Sequence, residues 1–130
     1  MNVKIDTKEK FHVVTPTDAS ISANMTAELS AKMLELAEGP VKNVVLNMKE
    51  VKSVEIPCGE ILLKTQQQFY ENDSSFVICE LSKETEQQLE EAGILEDMNT
   101  TPTESEAWDI VQMEEIEREM MNDWGEDTAE

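Results

Sequence analysis

The sequence predicts an α/β single domain, a mixed β-sheet of four to five strands covered by about four helices. Three observations predict it. Strand-like and helix-like patterns follow one another in the order ββαβαβα(β)α, and strands separated by helix-length segments pair in parallel through crossovers. Two strands, Val44-Val45-Leu46 and Phe76-Val77-Ile78-Cys79, are apolar without a break, the pattern of a strand covered on both faces. A chain of 130 residues with 39% hydrophobic content fills one modest core and leaves none for a second.

The elements follow from local chemistry. Val3 and Ile5 alternate with Lys4 and Asp6, a short strand with one dry face. Residues 7–10 form a polar hairpin-length link, and Phe11-His12-Val13-Val14 is the second strand. His12 is the only histidine and reads as a strand residue, since a zinc site or a catalytic pair ordinarily uses more. Residues 15–22 carry turn chemistry and end on Ser22, a helix cap. Met25, Leu29, Met33 and Leu36 then form one apolar stripe on a helix over 23–38, stopped by Gly39 in a left-handed conformation and by Pro40.

Residues 41–48 carry a central strand, and 50–56 a connection. Pro57 stands at a first helical position, where its missing N–H costs nothing. Ile61, Leu62, Thr65 and Phe69 stripe the helix that runs to Tyr70 and breaks at Asn72-Asp73-Ser74. Residues 75–81 are the strongest strand. Ser82 caps a helix over 83–92, with Leu89 and Ala92 facing in and Gly93 ending it, after which Ile94 and Leu95 pack. Residues 97–101 make a weak edge strand. Thr103-x-x-Glu106 is a capping box opening a last helix whose inner side uses Ala107, Ile110, Val111 and Met113 or Glu114, continued by Ile116, Met120 and Met121. The expected organisation is a domain over 1–121 and an acidic flexible C-terminal tail over 122–130.

Charge narrows the function. Ten bases against twenty-nine acids give a net charge of −19. Nucleic acid needs cations to displace its counterions, so DNA and RNA are excluded as partners. Anionic membrane surfaces are disfavoured for the same reason, and no apolar run approaches the roughly 20 residues of a membrane span. Residues 1–103 hold eighteen acids and nine bases, whereas 104–130 hold eleven acids and only Arg118. The start of the chain lacks the apolar stretch of a secretory signal, and two cysteines are too few for a disulfide framework. The expected setting is a reducing cytoplasm.

Chemistry-bearing motifs are sparse. There is no GxxxxGK[ST] loop and no GxGxxG turn, so no nucleotide cofactor is implied. The acidic run over 114–119 has neither the spaced ligands nor the glycine turn of a calcium loop, and no metal is expected. Within it, Glu114 and Arg118 are spaced to pair along the helix. Cys58, in a first helical turn, is a candidate thiolate. Glu55 and Glu60 flank it and oppose ionisation, and no histidine is placed as a base, so it reads as a small tolerated residue; Cys79 reads as core.

The element order, with a strand–turn–helix around 44–70, resembles the STAS domain of bacterial anti-sigma-factor antagonists. In that family an apolar strand runs into a turn written Asp-Ser-Ser/Thr-Gly and then an amphipathic helix. Here the strand leads to Ile56-Pro57-Cys58-Gly59 and Glu60-Ile61-Leu62-Leu63. Anchored on Gly59, Cys58 falls at the phosphoacceptor position, Pro57 at the preceding Ser and Ile56 at the Asp. Leu89-Glu90-Glu91-Ala92-Gly93-Ile94-Leu95 resembles the family's penultimate helix ending, and Ser105-Glu106-Ala107 the opening of its last helix. The resemblance implies no catalysis and no cofactor. It implies a cytoplasmic partner-binding domain in regulation of transcription, whose partner is an anti-sigma factor or a histidine-kinase-like ATPase. Cys58 is no substrate for an ordinary Ser/Thr kinase, so the usual switch is missing; Ser53, Ser74 and Ser75 offer hydroxyls outside the motif.

The expected partner face is Glu55, Ile56, Pro57, Cys58, Gly59, Glu60 and Lys64, with Gln67 and Gln68 beyond. The alternative is a STAS-like accessory subunit of a transporter or a self-associating scaffold. Met113, Met120 and Met121 with Trp108 and Trp124 would then be a docking stripe, although the same residues suit packing on the domain's own sheet. The oligomeric state stays open.

Overall fold

Three strands buried along their whole length organise the molecule. It is known from a computed structural model that describes the backbone of residues 1–129 and side chains through Met121. The strands are β1 (Val3–Thr7), β2 (Phe11–Pro16), β3 (Ser20–Ile21), β4 (Asn43–Asn47), β5 (Ser53–Val54), β6 (Phe76–Cys79) and β7 (Thr100–Thr101). The helices are α1 (Ala23–Leu36), α2 (Ile56–Glu71), α3 (Lys83–Glu91) and α4 (Glu104–Ala129), with a 3₁₀ turn at Leu95–Asp97. The main sheet runs β1-β2-β4-β6-β7; β1 is antiparallel to β2, and the other pairings are parallel. A separate parallel pair joins β3 to β5.

Side chains alternate across a strand. Val14, Val44, Leu46, Phe76 and Ile78 therefore face one layer with Leu29 and Met33 of α1, Leu62 and Phe69 of α2, and Leu89 of α3. Phe11, Val13, Val45, Val77 and Cys79 face the other side against Ala107 and Val111 of α4. The architecture is the mixed α/β sheet read from the sequence, with three helices on one face and one on the other.

Several local expectations hold. The Ser22 hydroxyl accepts from Met25 N (3.1 Å) to cap α1, and Ser82 accepts from Thr85 N (3.1 Å) to cap α3. Glu106 N donates to Thr103 Oγ1 (3.2 Å) at the start of α4, which is one of the two bonds of the expected capping box. Gly93 has φ +75 and ends the α3 segment in the left-handed region. His12 is buried in β2 and bonds Thr7 Oγ1 (2.8 Å) and Val41 O (2.9 Å).

Others are corrected. β1 has no dry face: Lys4 to Thr7 are exposed, Ile5 among them, because no helix covers the sheet's edge. The stretches read as turn and connection hold β3 and β5. Gly39 is not left-handed; α1 ends at Ala37 in ordinary helical conformation, with Ala37 N bonded to Met33 O (3.1 Å). Ala92 points to solvent. Among the described side chains of α4 only Ala107 and Val111 are buried, whereas Met113, Ile116, Met120 and Met121 are exposed. Arg118 pairs with Glu115 (2.8 Å) instead of Glu114, which accepts from Tyr70 Oη (2.8 Å). The backbone of α4 continues across the boundary expected at 121/122 to Ala129; the side chain of Trp124 and the whole of Glu130 lie outside what is described.

Candidate partner-binding site

The turn into α2 is assembled by the small β3–β5 pair. Lys52 N donates to Ala19 O (2.7 Å) and Glu55 N to Ile21 O (3.0 Å), which aims the chain at the start of α2 beside the start of α1. Glu55 is the extended N-cap of α2, but its side chain makes no bond to α2. Its carboxylate accepts from Ala23 N (2.7 Å), an orphan donor at the N-terminus of α1. Glu55 thus begins α2 with its backbone while its carboxylate caps the start of α1.

Exposure then divides the expected site residues. Ile56 stands 87% exposed, and Glu55, Pro57, Glu60 and Lys64 also reach solvent. Cys58 and Gly59 lie beneath them. The Cys58 thiol is fully buried, accepts from Thr26 Oγ1 (3.0 Å) and donates to Ile21 O (3.5 Å). A sulfur so enclosed offers no surface to a reagent, and His12 is committed elsewhere, so the thiolate reading has no geometry behind it. Gly59 lies in a close approach: a Cβ there would sit 2.0 Å from Ile94 Cδ1 and 2.9 Å from Leu89 Cδ2, side-chain ends that would have to move. The alternative hydroxyls are poorly placed as well. Ser74 and Ser75 are buried, and Ser53 shares a bond with Ser20 (3.1 Å).

Beside Ile56 lies a hollow of about 390 Å³ lined by Val54, Glu55, Ile56, Gln88, Leu89, Glu91 and Ala92. The α3 residues Gln88 and Glu91 escape sequence reasoning, because they approach α2 only through the fold. Gln88 Oε1 also accepts from Val54 N (3.0 Å), fixing the rim. The face is therefore an exposed branched aliphatic group ringed by Glu55, Glu60 and Glu91, with Lys64 one turn along α2 from Glu60. Among the described residues no cluster of metal-ligating side chains occurs, and no helix is long and apolar enough to cross a membrane.

Titration elsewhere bears on stability. Burial, with Glu104 and Glu80 nearby, pushes the Cys79 thiol up to about 12. Burial and the Glu114 contact raise the Tyr70 phenol to about 12. Glu115 is opposite in sign: burial raises its pKa, but bonds from Asn43 and Arg118, the Arg118 charge and Lys10 hold it below the ordinary value. A depressed carboxyl contributes stability above its unfolded pKa and loses it as pH falls through the folded one. Arg118 also donates to Ser75 Oγ (2.9 Å) and Asn43 Oδ1 (3.2 Å), tying α4 to β4 and the residue preceding β6. Arg118→Met is expected to cost about 1 kcal/mol at pH 7 and less below pH 4, measured by urea unfolding at the two pH values. An equal cost at both would show that Glu115 does not depend on Arg118.

The sequence matches the STAS domain family over residues 2–107, from β1 into the first turn of α4. This chain belongs to the STAS family. Solved STAS-like folds superpose on it at low identity. RsbS of Moorella thermoacetica, in a variant form, has TM-score 0.70 and 16% identity, covering 86% of this chain and 96% of that one. The unphosphorylated anti-sigma factor antagonist SpoIIAA, a Bacillus cell-fate determinant, has TM-score 0.68 and 14% identity over 85% and 96%. The murine anion transporter Slc26a9 has TM-score 0.67 and 13% identity, covering 80% of this chain but 18% of the transporter. At such identities the likeness establishes the fold. Comparison with curated sequences returns no match.

Proposed function

We propose that this STAS domain is a non-enzymatic protein-interaction module, an anti-sigma-factor-antagonist type that binds its partner without a phosphorylation switch. The observation that carries the reading is the first turn of α2: its exposed residues are Ile56 and Pro57, and Cys58 is sealed beneath them. A phosphoacceptor must be reachable, which Cys58 is not. Moving the family's turn by one residue sets Glu55 on the acidic position, Pro57 on the acceptor and Cys58 on the small buried residue, in keeping with their exposure. Neither register supplies a hydroxyl. Glu55 already holds a negative charge at the helix start, where a phosphate would otherwise be favoured.

Binding would rest on Ile56 as an apolar anchor within a polar rim of Glu55, Glu60 and Lys64, the arrangement of an interface hot spot. The partner would be an anti-sigma factor or a histidine-kinase-like ATPase in a bacterial cytoplasm, and the role regulation of transcription. In a pull-down from the source cells, with the bait weighed intact, such a partner is expected on an unmodified bait. Ile56→Asp, and separately Glu60→Lys with Lys64→Glu, are expected to weaken its capture at least about tenfold. Undiminished capture by these variants would remove the face. A phosphorylated bait would place an acceptor elsewhere, and recovery of a transport protein would favour the accessory-subunit reading.

A further inference from the structure

The middle of α4 carries a face that the domain leaves unused. Val111 is buried on the sheet, and at about 100° per residue Met113, Ile116 and Met120 come round to the opposite side of the helix. They are 59%, 56% and 52% exposed, a stripe too apolar to be an ordinary solvated surface. Their spacing of three and then four is that of positions a, d and a of a heptad. On that frame Glu117 and Glu119 occupy the flanking e and g positions, and both are exposed.

We propose that this face of α4 docks a basic amphipathic helix from a partner protein. Charge decides the occupant. The carboxylates on the inner side of the helix are satisfied, Glu114 by Tyr70 and Glu115 by Asn43 and Arg118. Glu117 and Glu119 have no bonded partner among the described residues. Arg118 is the only base of α4, and its guanidinium is turned to Glu115, Asn43 and Ser75. A second copy of the chain laid on the stripe would bring the same acidic flanks together, Glu117 and Glu119 of one copy beside those of the other, with no cation of α4 to relieve them. An anionic bilayer meets the same repulsion. A helix with Leu or Ile at a and d and Lys at e and g covers the stripe and neutralises both acids. This surface lies on the opposite side of the sheet from the α2 site, so its occupation does not depend on Ile56.

The test uses the full chain and two synthetic four-heptad peptides with Ile and Leu at a and d, one with Lys and one with Glu at e and g, titrated by calorimetry. The Lys peptide is expected to bind at least tenfold more tightly than the Glu peptide. The double variant Ile116→Ser/Met120→Ser keeps the net charge and is expected to lose at least tenfold, which separates the stripe from general attraction to an acidic protein. Glu117→Lys/Glu119→Lys is expected to reverse the preference. All four positions are exposed, and unchanged circular dichroism would confirm the variants fold. Failure of the Lys peptide to bind, or equal binding by the serine variant, overturns the proposal. So does self-association in sedimentation that the serine variant abolishes, which assigns the face to a second copy. Stripe-dependent partitioning into phosphatidylcholine vesicles would assign it to a membrane.

Discussion

Phe76→Ala is expected to destabilise the domain by about 4 kcal/mol, the largest effect of any single truncation considered. Phe76 opens β6, the strand paired on one side with β4 and on the other with β7, and none of its surface reaches solvent. Its ring lies 5.2 Å from that of Phe69 on α2, so the truncation removes transfer energy, an aromatic contact and packing under the helix that carries the candidate site. The cavity would be bounded by β4 at Val44 and by Phe69 of α2, both themselves fully packed, which limits collapse. Urea unfolding should show a lower midpoint with an unchanged slope. A loss below about 2 kcal/mol would mean that α2 can settle onto the sheet, and that its position is softer than its packing suggests.

Gly59→Val is expected to cost about 2–3 kcal/mol and to blunt partner capture in proportion to the displacement of α2. The loss runs against propensity, since replacing a helical glycine ordinarily gains. The clash is with Ile94 Cδ1 and Leu89 Cδ2, the far ends of two side chains on and after α3. Alanine is accommodated more readily, because Ile94 can rotate its terminal carbon; valine adds two methyl groups where Leu89 also stands. Adding Ile94→Ala to Gly59→Val should recover part of the stability, a coupling readable in a double-mutant cycle. Strict additivity would place the strain elsewhere.

The sequence made the central sheet legible because its evidence is local. An unbroken apolar run such as Phe76–Cys79 has only one comfortable environment, and Ser22 and Ser82 announce helices whose first turns they cap. β3 and β5 left no such trace, since two residues cannot show a period and their pairing joins positions more than thirty residues apart. The same separation hid the bond between Glu55 and Ala23 and the contribution of Gln88 and Glu91 to the site. The turn into α2 was located correctly, but which of its residues would be covered depended on Thr26, Leu89 and Ile94. The apolar residues late in α4 were misread because the heptad-like stripe names an apolar face without naming what it meets.

The strand order also sets when the chain can commit to its fold during synthesis. Only β1 and β2 are joined by a hairpin, and hairpins close in about 1–10 μs. That hairpin has little reason to persist alone, because β1 is exposed and β2 needs β4 beside it. β2, β4 and β6 are all buried on both faces, and the pairing of β4 with β6 must bridge the whole of α2. Residues emerging from a ribosome before Cys79 therefore have no completed central sheet to join, and the first half of the protein waits on the strand that follows it.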